Sequence, residues 1–243
     1  MCAQYEVKGD LIELLLRLNE SLPLHPADLK NVRQKSSPSA IRVAPGTLAP
    51  VIAGYVGKPG PARVGELRFS LVPAWSLTET SAKAGASRPK FATYNARLEG
   101  ISTKPTWREP FARRHCLVPM SGFIEPIYAS PAFPGLENSM VSFRSPDFVM
   151  AAGIWEEATR SFAIITDSPI PFVEKVGHDR SPLFLRPSAW AEWLFGPPTP
   201  EAATAFLRAN REDPSLAPIV DRPLKSRGGA ENLEPEFDFL PRG

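Results

Sequence analysis

Cysteine follows the initiator methionine, and this position gives one residue two nucleophiles. Removal of Met1 would expose the α-amine of Cys2 beside its thiol. An unperturbed α-amine titrates near pH ~7.7–8.0 and a thiol near ~8.5, so both groups are partly available close to neutral pH. The only other cysteine of the chain is Cys116. A cysteine at position 2 is also compatible with an unstructured leader, so a role for it depends on residues further along the chain.

Four other polar residues interrupt strand-like or turn-like segments at widely separated points. Asn95 and Arg97 lie in YNARLEG, Glu125 follows the apolar run of SGFIEP, and His178 lies in VGHDRSP. Each residue has a structural interpretation as well as a chemical one. Asn95 and Arg97 are compatible with a turn and a surface charge, Glu125 with the solvated end of a strand, and His178 with a loop residue bonded to its neighbour.

Composition narrows the class of protein. The chain has 243 residues, 43% apolar and 22% charged, which is typical of one large globular domain or two small ones. Two cysteines and three histidines provide neither a disulfide framework nor a four-ligand zinc site, and we expect no cofactor. The net charge of +2 does not by itself indicate nucleic acid, so an anionic partner would need a local basic patch.

The beginning of the chain carries charged residues where a signal peptide would need an apolar run, and no stretch reaches the ~18 apolar residues of a membrane span. We therefore expect a soluble cytoplasmic protein in a reducing compartment.

The elements that would position these residues are short. GDLIELLLRLNESL has the apolar spacing of an amphipathic helix with Asp10 as N-cap, and the polar connector KNVRQKSSPSA after it reads as a loop. Helices are also predicted at TWREPFARR, PSAWAEWLF and PEAATAFLRAN. The 28 prolines favour short strands with many turns. Strand-like runs occupy the middle of the chain, namely APVIAGYV, GELRFSLV, HCLVPMSGFIEP, MVSFR, FVMAAGIWEE and SFAIITD. This order predicts an α+β fold with one continuous core.

Six motifs together resemble one known family. M-C, VAPGT, VPAW, YNAR, GFIEP and HDRSPLFL occur in the order and spacing of the SOS-response-associated peptidase (SRAP) family, from Cys2 to about Trp193. The resemblance implies a single domain over residues 2–227 with a barrel-like mixed sheet flanked by helices. Residues 228–243 would form an acidic tail with interleaved apolar residues, either a frayed terminus or a contact for replication-fork proteins.

The family resemblance also implies an activity, the covalent capture of abasic sites in single-stranded DNA. The α-amine of Cys2 would form an imine with the open aldehyde of the sugar, and its thiol would close a thiazolidine ring. Only an N-terminal cysteine can make this ring, and intramolecular closure is fast because the effective molarity is high. Asn95 would orient the sugar or the backbone of Cys2, Glu125 would act as general acid and base, and His178 would support the proton transfer.

The resemblance implies DNA contacts at four further residues. Arg97 and, less directly, Arg180 would hold phosphates, and Trp75 would stack near the DNA groove unless it is a core residue. Pro45 would line the groove. The chain departs from the family at Gln4, where an arginine is expected, and at Pro126, where an aromatic residue often follows the glutamate. Arg42 precedes VAPG where asparagine is common, and we expect it to compensate for the arginine missing at position 4.

Two other functions remain open from the sequence. The chain could be an autoprocessing peptidase or amidase in which Cys2 attacks a carbonyl group, or a binder of single-stranded DNA that has lost the chemistry. We expect a monomer with no membrane partner, associated with the nucleoid when bound to DNA.

Overall fold

A computed structural model describes residues 4–9, 11–28, 41–77, 93–197 and 199–224. Within these residues, twelve strands form one sheet. The strands are β1 Gln4–Val7, β2 Ile41–Val43, β3 Leu48–Tyr55, β4 Arg63–Phe69, β5 Asn95–Arg97, β6 Arg114–Ile127, β7 Ser139–Glu156, β8 Ser161–Asp167, β9 Ser181–Pro182, β10 Phe184–Leu185, β11 Arg211–Glu212 and β12 Ala217–Pro223. The helices are α1 Leu11–Ser21, α2 Arg108–Arg113, α3 Pro171–Val176, α4 Trp190–Phe195 and α5 Pro200–Ala209.

Several features predicted from the sequence lie outside the described residues. They are Cys2, the N-cap Asp10, the connector of residues 30–40, and the tail of residues 228–243.

Five strands close into a ring of hydrogen bonds. The strands β3, β4, β8, β7 and β6 each pair with the next, and β6 returns to β3. The pairs within the ring are antiparallel except that of β4 with β8. Strand β5 adds to β8 in parallel, β1 extends the sheet from β6, and β12 pairs with β7. The expected α+β fold with a barrel-like sheet is confirmed.

Both faces of the ring are buried, and each face has its own core. On β8, Phe162 and Ile164 belong to one apolar cluster while Ala163 and Ile165 belong to the other, as the alternation of a strand requires. Leucines of α1 and residues of α2, α4 and α5 belong only to the second cluster, so it lies outside the ring and is called the outer core. The first cluster fills the interior of the ring and is called the inner core.

Helix α3 reaches the inner core, unlike the other helices. Its Val173 and Val176 are buried in that cluster together with Ile170. Because strands occupy the wall of the ring, an outside helix can contact the interior only at an open end. Helix α3 therefore closes one end of the ring.

Helix α1 confirms the amphipathic pattern. Leu15, Leu18 and Leu22 are buried in the outer core, while Leu16 on the opposite face is 41% exposed. The other three predicted helices form as well, although the first residues of PSAWAEWLF make a 3-10 turn. None of the described helices is long and apolar enough to span a membrane.

The two runs MVSFR and FVMAAGIWEE were expected to be separate strands, and this is wrong. They form the single strand β7, which continues through Ser145, Pro146 and Asp147. The partner strand β6 is itself long and pairs with β7 on both sides of a register shift between Met120 and Gly122. Pairing along one long neighbour thus overrides the local turn signal of the Ser-Pro-Asp sequence.

At Gly153 on β7, the neighbouring strands β6 and β8 leave no room for a side chain. A Cβ atom there would lie 2.8 Å from Cys116 Sγ and 2.9 Å from the carbonyl oxygen of Ala163. Because overpacking strains a dense core, we expect Gly153→Ala to lower the free energy of unfolding by about 1–3 kcal/mol, measured by urea denaturation. Gly65 on β4 is the matched control, since nothing lies within 4 Å of its Cβ position. Equal losses in Gly153→Ala and Gly65→Ala would contradict this account.

Candidate functional site

Strand β6 carries a carboxyl group into the interior of the ring. Glu125 lies between Phe123 and Ile127 on the inward side of the strand, and all three residues are 0% exposed. Since alternate residues of a strand point to the same side, Glu125 points inward with its two apolar neighbours. The interpretation of Glu125 as a solvated strand end is therefore wrong.

His178 is placed beside this carboxyl group by the end of α3. The helix ends at Gly177, which has φ +111°, and a Cβ atom there would lie 2.1 Å from the carbonyl oxygen of Ala129. Only glycine fits this close approach at positive φ. The chain then turns inward, and His178 Nε2 lies 3.4 Å from Glu125 Oε2. The imidazole is 8% exposed.

The protonation states of this pair follow from burial. Burial raises the pKa of Glu125 from 4.5 to about 7, and burial also lowers the pKa of His178. Near neutral pH the carboxyl group is therefore protonated in about half of the molecules, and the imidazole is neutral. His178 Nδ1 lies 2.8 Å from the carbonyl oxygen of Arg180 and 3.2 Å from its backbone N–H, and the shorter contact favours a proton on Nδ1, which leaves Nε2 to face the carboxyl group. Such a pair can exchange a proton with a bound molecule.

Asn95 lies on β5, and the alternative of a turn residue is wrong for it. In the parallel register it is next to Ile164 of the inner core, and it is 7% exposed. Both polar atoms of its side-chain amide are buried and have no hydrogen-bond partner among the described residues. Buried polar atoms are rarely left unsatisfied, and the exceptions concentrate where a ligand can satisfy them. The described residues thus leave a buried donor and a buried acceptor of Asn95 for a further partner.

Two arginines and a hydroxyl group accompany Asn95. Arg97 follows on the same side of β5 and is exposed, and the next strand places Thr166 beside it in register. Arg180 pairs with Glu99, and its pKa is lowered by burial and by the charge of Arg97, which places the two guanidinium groups near each other. These guanidinium groups can donate hydrogen bonds to a phosphate.

Sequence reasoning missed Thr166. Its hydroxyl oxygen is buried with no hydrogen-bond partner among the described residues, and its side chain is 1% exposed. The available signal was the alternation in SFAIITD, which places Thr166 on the same side of β8 as the inner-core residue Ile164.

Trp75 is on the surface, so the alternative of a core tryptophan is wrong. Its side chain is 63% exposed, and its ring nitrogen Nε1 donates to the carbonyl oxygen of Pro105 at 3.3 Å. The ring lines a cavity of about 320 Å³ with Glu109 and Arg114. Pro45 is half-buried in the turn between β2 and β3.

Arg42 is bound by two carboxylates. Its Nη2 lies 2.5 Å from Asp221 Oδ1 on β12 and 3.1 Å from Glu6 Oε1 on β1, and these contacts raise its pKa. Arg144 Nε binds the other oxygen of Glu6 at 3.1 Å. This chain of ion pairs connects β1 and β12, the first and the last described strands in the sequence.

Cys2 lies outside the described residues. Strand β1 begins at Gln4, which pairs with Ile124, the residue before Glu125. The first described strand therefore begins beside the buried carboxyl group.

Comparison with known proteins decides the family. A model of the SOS response associated peptidase (SRAP) family matches residues 1–222. The chain belongs to this family. The abasic site processing protein YoqW of Bacillus subtilis is 30% identical over 139 residues, which cover 54% of this chain and 57% of that protein. The abasic site processing protein YMR114C of Saccharomyces cerevisiae is 26% identical over 217 residues, covering 80% and 55%. The chain thus matches little more than half the length of these curated relatives.

Solved structures share the fold at lower identity. A crystal structure of a protein from Bacteroides thetaiotaomicron superposes with a TM-score of 0.63 at 18% identity, covering 91% of this chain and 92% of that one. A phage-related protein from Bordetella bronchiseptica gives a TM-score of 0.62 at 19% identity, covering 90% of this chain and 94% of that one.

Within the described ranges, no group of three histidine, cysteine, aspartate or glutamate side chains could hold a metal.

The buried carboxyl group predicts a pH-dependent stability. Because the pKa of Glu125 is about 7 in the folded protein and 4.5 ordinarily, the folded state retains a proton that the unfolded chain releases between these values. The contribution of this group to stability is therefore lost as pH rises from 4.5 to 7. A glutamine at position 125 does not titrate. The free energy of unfolding of Glu125→Gln, relative to that of wild type, should therefore rise by about 3 kcal/mol from pH 4.5 to 7.

Urea denaturation from pH 4.5 to 8 measures this difference. Glu174→Gln, the same substitution at an exposed residue of α3, is the control and should show no pH-dependent difference. A Glu125→Gln difference that stays flat across the range would refute the burial argument.

Proposed function

We propose that this protein captures abasic sites in single-stranded DNA by forming a thiazolidine through Cys2. The observation that supports this proposal most directly is the buried pair of Glu125 and His178 next to the first residue of β1, since this pair would supply proton transfer. The names of the curated relatives, which are abasic site processing proteins, support the class of substrate.

The reaction would proceed in two additions and release one water. After removal of Met1, the amine of Cys2 adds to the C1′ aldehyde of the open sugar, and loss of water gives an imine. The thiolate of the same residue then adds to the imine carbon, and the nitrogen takes up a proton as the five-membered ring closes. Both nucleophiles belong to one residue, so the second addition needs no further binding event.

Glu125 and His178 suit the proton steps. A carboxyl group whose pKa is about 7 is protonated in half of the molecules at neutral pH, so it can donate to the sugar oxygen as the closed sugar opens and to the hydroxyl group that leaves as water. The neutral imidazole of His178 can take a proton from the carboxyl group or the amine and return it.

The remaining residues would bind the strand. The unpaired amide of Asn95 would orient the sugar or the backbone of Cys2, and Arg97 with Arg180 would hold a flanking phosphate. Trp75 offers an exposed ring for stacking, and Pro45 would line the groove. Binding through these cations should weaken as salt rises.

The test uses protein whose free Cys2 has been verified by intact mass and a single-stranded oligonucleotide with one abasic site. Wild type should give a heat-stable adduct whose mass is one water below the sum of the two parts. Cys2→Ala keeps an amine but no thiol, so it should form only an imine that borohydride traps and heat destroys. Glu125→Gln should slow adduct formation by roughly 10²–10⁴-fold, as loss of a general acid does, while Glu174→Gln should match wild type.

Other outcomes would point to other functions. Salt-dependent binding of single strands by wild type without any adduct would indicate a binder without chemistry. Retention of Met1 in Glu125→Ala and in Cys2→Ala, but not in wild type, in cells whose methionine aminopeptidase is blocked, would favour an autoprocessing peptidase.

The role of Arg42 as a DNA contact stays a prediction, and substitution of its partner Asp221 tests it. Asp221 competes with a phosphate for this guanidinium group. Asp221→Asn should therefore tighten binding to an undamaged single strand, whereas Arg42→Gln should weaken it. Arg42→Gln should also reduce the slope of the logarithm of the binding constant against the logarithm of the salt concentration by about one. Binding that is unchanged in both variants, with similar losses of thermal stability, would assign Arg42 to the ion pairs that connect β1 and β12.

A further inference from the structure

The loop after β6 presents an aromatic ring to solvent. Tyr128 follows the last residue of the strand and is 67% exposed, the largest fraction among the bulky apolar and aromatic side chains of the described residues. Pro126, between Glu125 and this end of the strand, has no aromatic face. Three strand-like steps of ~3.3 Å place Tyr128 about 10 Å from Glu125 along the chain.

The backbone beneath this ring is firmly packed. Next to Tyr128, the carbonyl oxygen of Ala129 touches Gly177, the residue before His178. Further along the loop, the ring of Phe133 packs edge-on against Phe172 of α3 at 5.7 Å. The exposed ring therefore stands on an ordered backbone that also touches the turn carrying His178.

The chemistry of an abasic nucleotide makes such a ring useful. The nucleotide has no base, so a protein can recognise it only through its sugar, its phosphates and the bases on either side. Drawing the sugar toward Glu125 separates a neighbouring base from the stack of the strand. An aromatic side chain replaces that lost contact with little dependence on which base is present.

We propose that Tyr128 is the stacking surface for the nucleobase next to the abasic nucleotide. Tyr128 would position the strand and would take no part in the chemistry. This inference rests on the proposed function. The aromatic ring makes the contact, so Tyr128→Phe and Tyr128→Trp should retain DNA binding and Tyr128→Ala should weaken it.

Equilibrium binding tests this without any covalent step. The probe is a single strand with one tetrahydrofuran abasic analogue, which has no aldehyde and cannot crosslink. Tyr128→Ala should raise the dissociation constant roughly 5- to 150-fold, the range for loss of one stacked base, while Tyr128→Phe should stay close to wild type. Leu16→Ala on α1, which removes another exposed apolar side chain, should have no effect.

Two further probes identify the base. Each replaces one neighbour of the analogue, on the 5′ or the 3′ side, by a second base-free spacer. On one of them, wild type should bind as weakly as Tyr128→Ala, so that the effect of the substitution disappears. A structural defect would instead weaken binding equally on all three probes.

Each result decides between the two proposals. Tyr128→Ala binding as tightly as wild type, Tyr128→Phe binding as weakly as alanine, or an equal effect on all three probes would overturn the stacking role. Because the analogue cannot react, a stacking effect without adducts on true abasic DNA would leave this inference standing and refute the thiazolidine. Wild type that binds none of the strands would overturn both.

Discussion

Exclusion of water from one carboxyl group is the condition on which the site depends. Glu125 is surrounded by the interior of a closed ring of strands, and that environment is what retains its proton near neutral pH. An open sheet would leave the same residue solvated and ionised. Helix α3 closes the end of the ring, and Gly177 turns the chain so that His178 meets the carboxyl group. The closed sheet thus determines both the position and the protonation state of this pair.

Much of the fold follows from local patterns. The leucine spacing of α1 and the apolar runs that become β3, β4, β6 and β8 are long enough for alternation or helical period to be read directly. The residues of the candidate site could be selected for a related reason. Polar side chains such as Glu125 inside apolar runs are costly unless they are used, so they stand out in a single sequence.

The rest depends on contacts between distant parts of the chain. Strands β1 and β5 have only four and three residues, and β12 is mostly exposed. All three gain their stability from partner strands, which the sequence does not reveal. The union of two apolar runs into β7 likewise depends on the length of β6. Arg42 and Asp221 are separated by 179 positions, so their ion pair has no local signal. The pKa of Glu125 could not be predicted either, because it depends on the depth of burial.

The closure of the ring has a consequence for newly made chains. The ribosome synthesises Glu125 on β6 before β8 and the turn that bears His178, both of which come after residue 160. No partial chain that stops before this point can complete the hydrogen-bonded circuit, and hence none can enclose Glu125. The carboxyl group accordingly stays in contact with water, and without its imidazole neighbour, until about two thirds of the chain has been made. Completion of the last ring strand is therefore the step that gives this carboxyl group its unusual environment.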